Sequence, residues 1–255
     1  MQGSLRLNAI VLMLSSFAWA SSAWGAKILM IGDSHSCNER GFGGKMVTNL
    51  TQRGNQVEIF CAVSSSATSW EKGTTPRGQV CRTWSSSQPT PRLCTQGAAS
   101  GQVPALASLL RQQRYDQVIV ALGTNSLMSS RSERANANLA TLIKTAGSSC
   151  DWIAPPHIRA DQAKPRMFSR ERLTTLESNL NGYYRSLQSA VGSSCAWHDS
   201  LPATQAGAPG GQTTDGVHRT NVSGAAWADA IAGQFQARPT VKAVTTTPKQ
   251  PAGVQ

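Results

Sequence analysis

Three short stretches of this 255-residue chain bring together residue types that can move a proton and attack a carbonyl. The first is "KILMIGDSHS", residues 27–36, where an apolar run ends on Gly-Asp-Ser and delivers Ser34 to the end of a strand. A serine there often only makes a turn or caps a helix, but it can also be presented as a nucleophile. The second, "VIVALGTN", places Asn125 just past another buried run, where its amide can donate a hydrogen bond to a developing oxyanion. The third, "TTDGVHRTNVSG", sets Asp215 three residues before His218, close enough in a tight turn for the carboxylate to fix the imidazole tautomer. Each signal is weak alone. Together, in this order, they supply the nucleophile, base and orienting acid of acyl transfer.

Such residues need a scaffold that brings their three segments to one rim. Apolar bursts fall at Ala26–Gly32, Val57–Val63, Gln117–Leu122, Trp152–Ala154 and Ala196–Trp197. Between them lie helical periodicities at Val103–Arg114, Arg131–Ala146 and Arg170–Val191, and a last one at Ser223–Phe235. Strands alternating with helices predict an α/β domain built on a parallel sheet covered on both faces, and the unbroken apolarity of "ILMI" and "VIVAL" agrees. Ligands of such sheets bind beyond the carboxyl ends of the strands, which is where Ser34 is aimed. The Ser-, Thr-, Pro- and Gly-rich stretch Ser64–Gly101 breaks the rhythm and predicts a long insertion above the sheet.

The ends read differently. Arg6, the apolar Ala9–Ala20 and the small residues of Ala18-Trp19-Ala20 or Ser21-Ser22-Ala23 predict a cleaved signal peptide over residues 1–25. Its apolar run of about 12 residues falls short of the ~20 needed to span a bilayer. The domain is expected over 26–238 and a disordered tail over 239–255. Export to the periplasm or exterior makes the six cysteines disulfide candidates. Cys81 and Cys94 bracket one polar loop. Cys150 and Cys195 sit in matching phrases, "GSSCDW" and "GSSCAW", at the mouths of two strands, which leaves Cys37 for Cys61. The net charge of +11, of which Arg6 contributes one, favours polyanionic partners such as envelope glycans or simply aids solubility. No basic-aromatic interleaving marks a nucleic-acid groove. No metal-ligand spacing is present.

These stretches together resemble the SGNH (GDSL-type) hydrolase superfamily, from "IGDSHS" through "GTN" to "DGVH". The resemblance implies a flavodoxin-like three-layer α/β/α sandwich with a central parallel five-stranded sheet, working without metal or organic cofactor. It also implies Ser34 as nucleophile, His218 as base, Asp215 as its orienting residue, and an oxyanion hole from the Ser34 N–H, the Asn125 side chain and a backbone N–H of a second block. That block normally holds a glycine. Here it reads "CAVSSSATSW", so Ser64, Ser65 or Ser66 takes the place, with Ser65 favoured. The second block and "CDWIAPP" are similar to exported members acting on acetylated carbohydrate, including envelope glycans. The expected activity is therefore hydrolysis of short acyl esters, most simply O-acetyl, by a monomer. Trp70 and Trp84 are candidates for stacking on sugar rings or for packing the insertion. His35 and His157 are candidates for substrate contact, and His198 for a structural hydrogen bond beside Asp199. Two alternatives stand beside this reading: a lipase or thioesterase using the same triad, and a noncatalytic glycan-binding module.

Overall fold

The computed structural model describes residues 25–96, 99–129 and 133–235. The tail expectation and all but the last residue of the signal-peptide expectation lie outside these residues. Among the described residues seven strands form one sheet in the order β4-β3-β2-β1-β5-β6-β7. They are β1 (Lys27–Gly32), β2 (Gln56–Ala62), β3 (Cys81–Ser85), β4 (Arg92–Leu93), β5 (Gln117–Ala121), β6 (Ser149–Ile153) and β7 (Ala196–His198). The five-stranded block β2-β1-β5-β6-β7 is parallel throughout, as the sequence predicts. The insertion departs from expectation. Instead of lying above the sheet it supplies the antiparallel strands β3 and β4, which extend the sheet edge beyond β2.

Among the described residues eight α-helices complete the layers: α1 (Phe42–Thr51), α2 (Ala67–Lys72), α3 (Leu106–Gln112), α4 (Thr124–Ser129), α5 (Glu133–Thr145), α6 (Arg170–Val191), α7 (Leu201–Thr204) and α8 (Asn221–Phe235). Because strand side chains alternate between faces, the parallel strands feed two cores at once. Leu29, Ile31, Phe60, Val118, Val120 and Trp152 meet Trp70, Leu106, Leu139, Ile143 and Leu187 on one face. Ile28, Met30, Ile59, Ile119 and Ile153 meet Phe42, Met46, Trp227 and Ile231 on the other. Full burial of each such side chain is worth roughly 1.5–3 kcal/mol, so both faces are strongly held.

Helix α1 is missing from the sequence reading. Its apolar residues Phe42, Met46, Val47 and Leu50 are suitably spaced, but two glycines interrupt the pattern. Gly43 is there because the preceding turn crosses it so closely that a Cβ would sit 1.9 Å from the Ser36 carbonyl oxygen. The turn that carries Ser34 thus rests directly on α1. The disulfides pair as expected: Cys37 with Cys61, Cys81 with Cys94, and Cys150 with Cys195. No helix among the described residues is long and apolar enough to cross a membrane.

Candidate active site

Strand order reverses around β1: the chain passes to β2 on one side and returns on the other side at β5. Such a switch point opens a crevice at the carboxyl ends of the two strands. Ser34 follows β1 and Asn125 follows β5, one on each lip. Beyond Asp33 the backbone turns at once, with the Cys37 N–H donating to the Asp33 carbonyl (3.2 Å) and the His35 N–H to the Asp33 carboxylate (3.0 Å). Ser34 is left half-buried at the tip of this turn.

The third segment arrives from the loop before α8. A short antiparallel bridge between Thr213 and Arg219 pinches it, and the Thr214 N–H donates to the His218 carbonyl at 2.7 Å. Inside the pinch, one Asp215 carboxylate oxygen accepts the backbone N–H groups of Val217 (2.9 Å) and His218 (2.7 Å). The other lies 2.7 Å from His218 Nδ1, and His218 Nε2 lies 3.1 Å from Ser34 Oγ. With Nδ1 protonated toward the carboxylate, Nε2 presents a lone pair to the serine hydroxyl. Gly216 is required between them. Its φ is +92°, and a Cβ would meet Leu173 at 2.3 Å and the Arg159 carbonyl at 2.7 Å. The Arg159 N–H closes the turn onto the Gly216 carbonyl at 2.8 Å.

Electrostatics follow from this wiring. Burial pushes the Asp215 carboxyl up, but the hydrogen bonds from the His218 ring and from the His218 and Val217 backbone outweigh it and bring it down to about 2. His218 is raised above 6.5 chiefly by its hydrogen bond to Asp215, with burial opposing. Asp33 lies deeper, and its burial lifts it to about 7. His35 is also buried, which holds its pKa well below the usual imidazole value. Its ring packs between His218 and Trp227, with centroids 5.7 and 5.6 Å away. His35 therefore lies behind the His218 ring on its interior side, buried from the crevice.

The second block is more singular. Ser64 adopts φ +61°, the left-handed conformation that glycine takes without cost. Ser65 is fully buried; its hydroxyl donates to the Gly32 carbonyl (3.2 Å) and accepts from Trp70 Nε1 (3.2 Å). The Ser65 side chain thus ties the end of β1 to α2. The Ser65 N–H bonds the Ala62 carbonyl at 3.2 Å, so it must share that bond to serve an oxyanion. Asn125 Nδ2 donates to the Ser65 carbonyl at 3.0 Å, which joins the two lips of the crevice.

Other candidates fall elsewhere. Trp70 and Trp84 are 0% and 3% exposed and belong to the two cores, so neither can stack on a sugar. His157 is half-buried, its ring 3.6 Å from Glu177. His198 makes a structural bond as expected, but its partner is Asp151 at 2.7 Å and not its neighbour Asp199. Among the described residues no cluster of His, Cys, Asp and Glu could hold a metal ion. A cleft of about 300 Å³ opens beside Ser34, lined by Cys37, Asn38, Val63, Gln79, Val80 and Arg82. The sequence reading named none of these liners as site residues; Gln79, Val80 and Arg82 in particular escaped it because the strand pairing that brings the insertion to Ser34 is not a local signal.

No family model and no curated protein matches this sequence. Solved structures do. A protein from Slackia heliotrinireducens proposed as an SGNH hydrolase is 16% identical, with a TM-score of 0.56 over 83% of this chain and 99% of that one. A carbohydrate acetylesterase from Sinorhizobium meliloti (14% identity, TM-score 0.54) aligns over the same shares. An acetylxylan esterase from Geobacillus stearothermophilus (14%, TM-score 0.52) aligns over 83% of this chain and 94% of its own. The switch-point crevice, the sheet order and these likenesses agree that the chain has the fold of the SGNH-type hydrolases.

Proposed function

We propose that the protein is a serine esterase that removes short acyl groups, most simply O-acetyl, from carbohydrate. The observation that carries this reading is the unbroken chain Ser34 Oγ, His218, Asp215, at 3.1 and 2.7 Å, at the carboxyl end of the parallel sheet. Binding alone has no use for a proton relay. As Ser34 Oγ bonds to the ester carbonyl carbon, its proton passes to His218 Nε2, and the negative charge goes to the carbonyl oxygen. Collapse breaks the bond to the sugar oxygen, which leaves with the proton from His218. Water then attacks the acyl-enzyme by the same relay, freeing the carboxylic acid and Ser34. The Ser34 N–H, the Asn125 amide and the Ser65 N–H are the donors for the oxyanion, and loss of the Asn125 donor should cost ~10²–10³ in kcat.

The small cleft, walled by Asn38, Gln79 and Arg82 as well as Val63 and Val80, supports a short acyl group over a lipid chain, which would ask for a long and wholly apolar groove. The acetylesterases among the similar folds act on acetylated carbohydrate, in keeping with that choice. Three disulfides support residence in an oxidising compartment, periplasmic or extracellular, reached by way of the amino-terminal signal segment. The test compares p-nitrophenyl acetate with a long-chain p-nitrophenyl ester and follows acetate release from acetylated xylan and from peptidoglycan. Hydrolysis of the acetyl ester and its abolition in Ser34→Ala are expected. Full activity in Ser34→Ala would overturn the mechanism, and preference for the long chain would favour a lipolytic enzyme.

A further inference from the structure

Five large apolar side chains stand well exposed among the described residues: Val63, Val80, Leu93, Met167 and Val222. The first three gather on one strip beside Ser34. Val63 and Val80 line the cleft with Ser34, and Leu93 lines an adjoining hollow of about 380 Å³. Arg82 is in the wall of both, so the two hollows adjoin at this side chain and together lead away from the nucleophile. A Cβ on Gly101 would lie 3.6 Å from Val80 and 3.7 Å from Leu93, which sets those two side chains close together. Asn38 and Gln79 supply amides near Ser34, and Glu39, Pro91 and Arg92 complete the far end.

This groove is built on paired backbone. Arg82 stands opposite Leu93 in the β3–β4 register. The Cys81 N–H bonds the Gly101 carbonyl (2.7 Å), the Gly101 N–H the Cys94 carbonyl (2.8 Å) and the Cys94 N–H the Cys81 carbonyl (3.0 Å), with the Cys81–Cys94 disulfide across them. The charge on its wall is not internally satisfied. No ion pair among the described residues engages Arg82, Arg92 or Glu39, and Arg92 donates only to the neutral amide of Gln88. An exposed guanidinium beside small apolar surfaces and amides suits an oligosaccharide carrying carboxylates: the fork pairs the acid, the amides take hydroxyls, and the apolar side chains lie against pyranose faces. A fatty acyl chain laid there would strip water from Arg82 and return nothing for it.

Resting on the esterase reading, we propose that the β3–β4 groove is a subsite for an acidic glycan, and that Arg82 binds the carboxylate of a sugar next to the one bearing the ester. The test uses acetylated polygalacturonate and the same polymer after reduction of its carboxyl groups. The readout is the ratio of kcat/KM on the acidic to the neutral polymer, so that any general loss in a variant cancels. The parent should favour the acidic polymer by about 10-fold, the scale of one charge-assisted pair. Arg82→Gln should bring the ratio close to one, chiefly through KM. Arg82→Lys should retain only part of it, since the ammonium keeps the charge but not the fork, and Arg92→Gln should lower it by less than Arg82→Gln does. A parent ratio near one, an unchanged ratio in Arg82→Gln, or acetate release from neither polymer overturns the subsite. Hydrolysis of p-nitrophenyl acetate by the parent and not by Ser34→Ala keeps the esterase reading standing in each of those cases; failure of that control would sink the esterase reading itself.

Discussion

His218 is drawn in two directions, toward protonation by the Asp215 hydrogen bond and away from it by burial, and the carboxylate prevails. A base must be neutral to accept the Ser34 proton, so kcat/KM should rise with pH along a limb whose midpoint lies above 6.5, the unperturbed value. Asp215→Asn removes the largest cause of the raised value. The limb should then move to lower pH while kcat falls by ~10³–10⁴, because the amide no longer fixes the tautomer. A pH–rate profile of both proteins on p-nitrophenyl acetate checks both shifts at once, and a limb that stays put in the variant would separate Asp215 from the base. At this scale much of the site was legible. Ser34, Asn125, Asp215 and His218 each carry a local signature, a strand end or a tight turn, and the structure brings them to one crevice. Trp70 and Trp84 were ambiguous because burial depends on partners far away in sequence. The buried strut made by the Ser65 hydroxyl could not be read from "SSS", since three adjacent serines differ only in the directions that the fold gives them.

Among the elements, the disulfides differ in how much chain they close. Cys150–Cys195 spans 45 residues and crosses from β6 to the entry of β7, whereas Cys81–Cys94 spans 13 within one hairpin. On the loop-entropy account, losing the first should destabilise the fold by about 4 kcal/mol and losing the second by about 3. Denaturant unfolding of Cys150→Ala/Cys195→Ala and Cys81→Ala/Cys94→Ala checks the order; the hairpin pair should instead show the larger change in activity on polymer. Strands β1, β2 and β5 and helices α5, α6 and α8 announced themselves through long apolar runs or stripes. The hairpin did not. Strand β4 is two residues long and set among Pro, Ser and Gln, so it has no period to detect, and its partner β3 exists only by pairing with β2. Helix α1 was hidden for the opposite reason: glycines demanded by a close backbone crossing diluted its stripe.

For the molecule as a whole, the alternation of strands and helices sufficed to predict the layered sandwich, while the lateral extent of its sheet followed from tertiary pairing alone. The charge of +11 is a long-range property that no single contact explains. It should concentrate polyanions near the surface, an attraction screened as the Debye length shrinks from about 10 Å at 0.1 M salt to about 3 Å at 1 M. Raising salt over that range should depress kcat/KM on acetylated polygalacturonate and leave p-nitrophenyl acetate nearly untouched; equal loss on both would point to the chemistry instead. The crosslink from Cys37, three residues past the nucleophile, to Cys61 at the end of β2 has one more consequence. A newly made chain kept among reduced thiols lacks the clamp that fixes the lip carrying Ser34. Assembly of that lip would then be timed by oxidation, and the Ser34 turn would stay loose for as long as the chain met only reduced thiols.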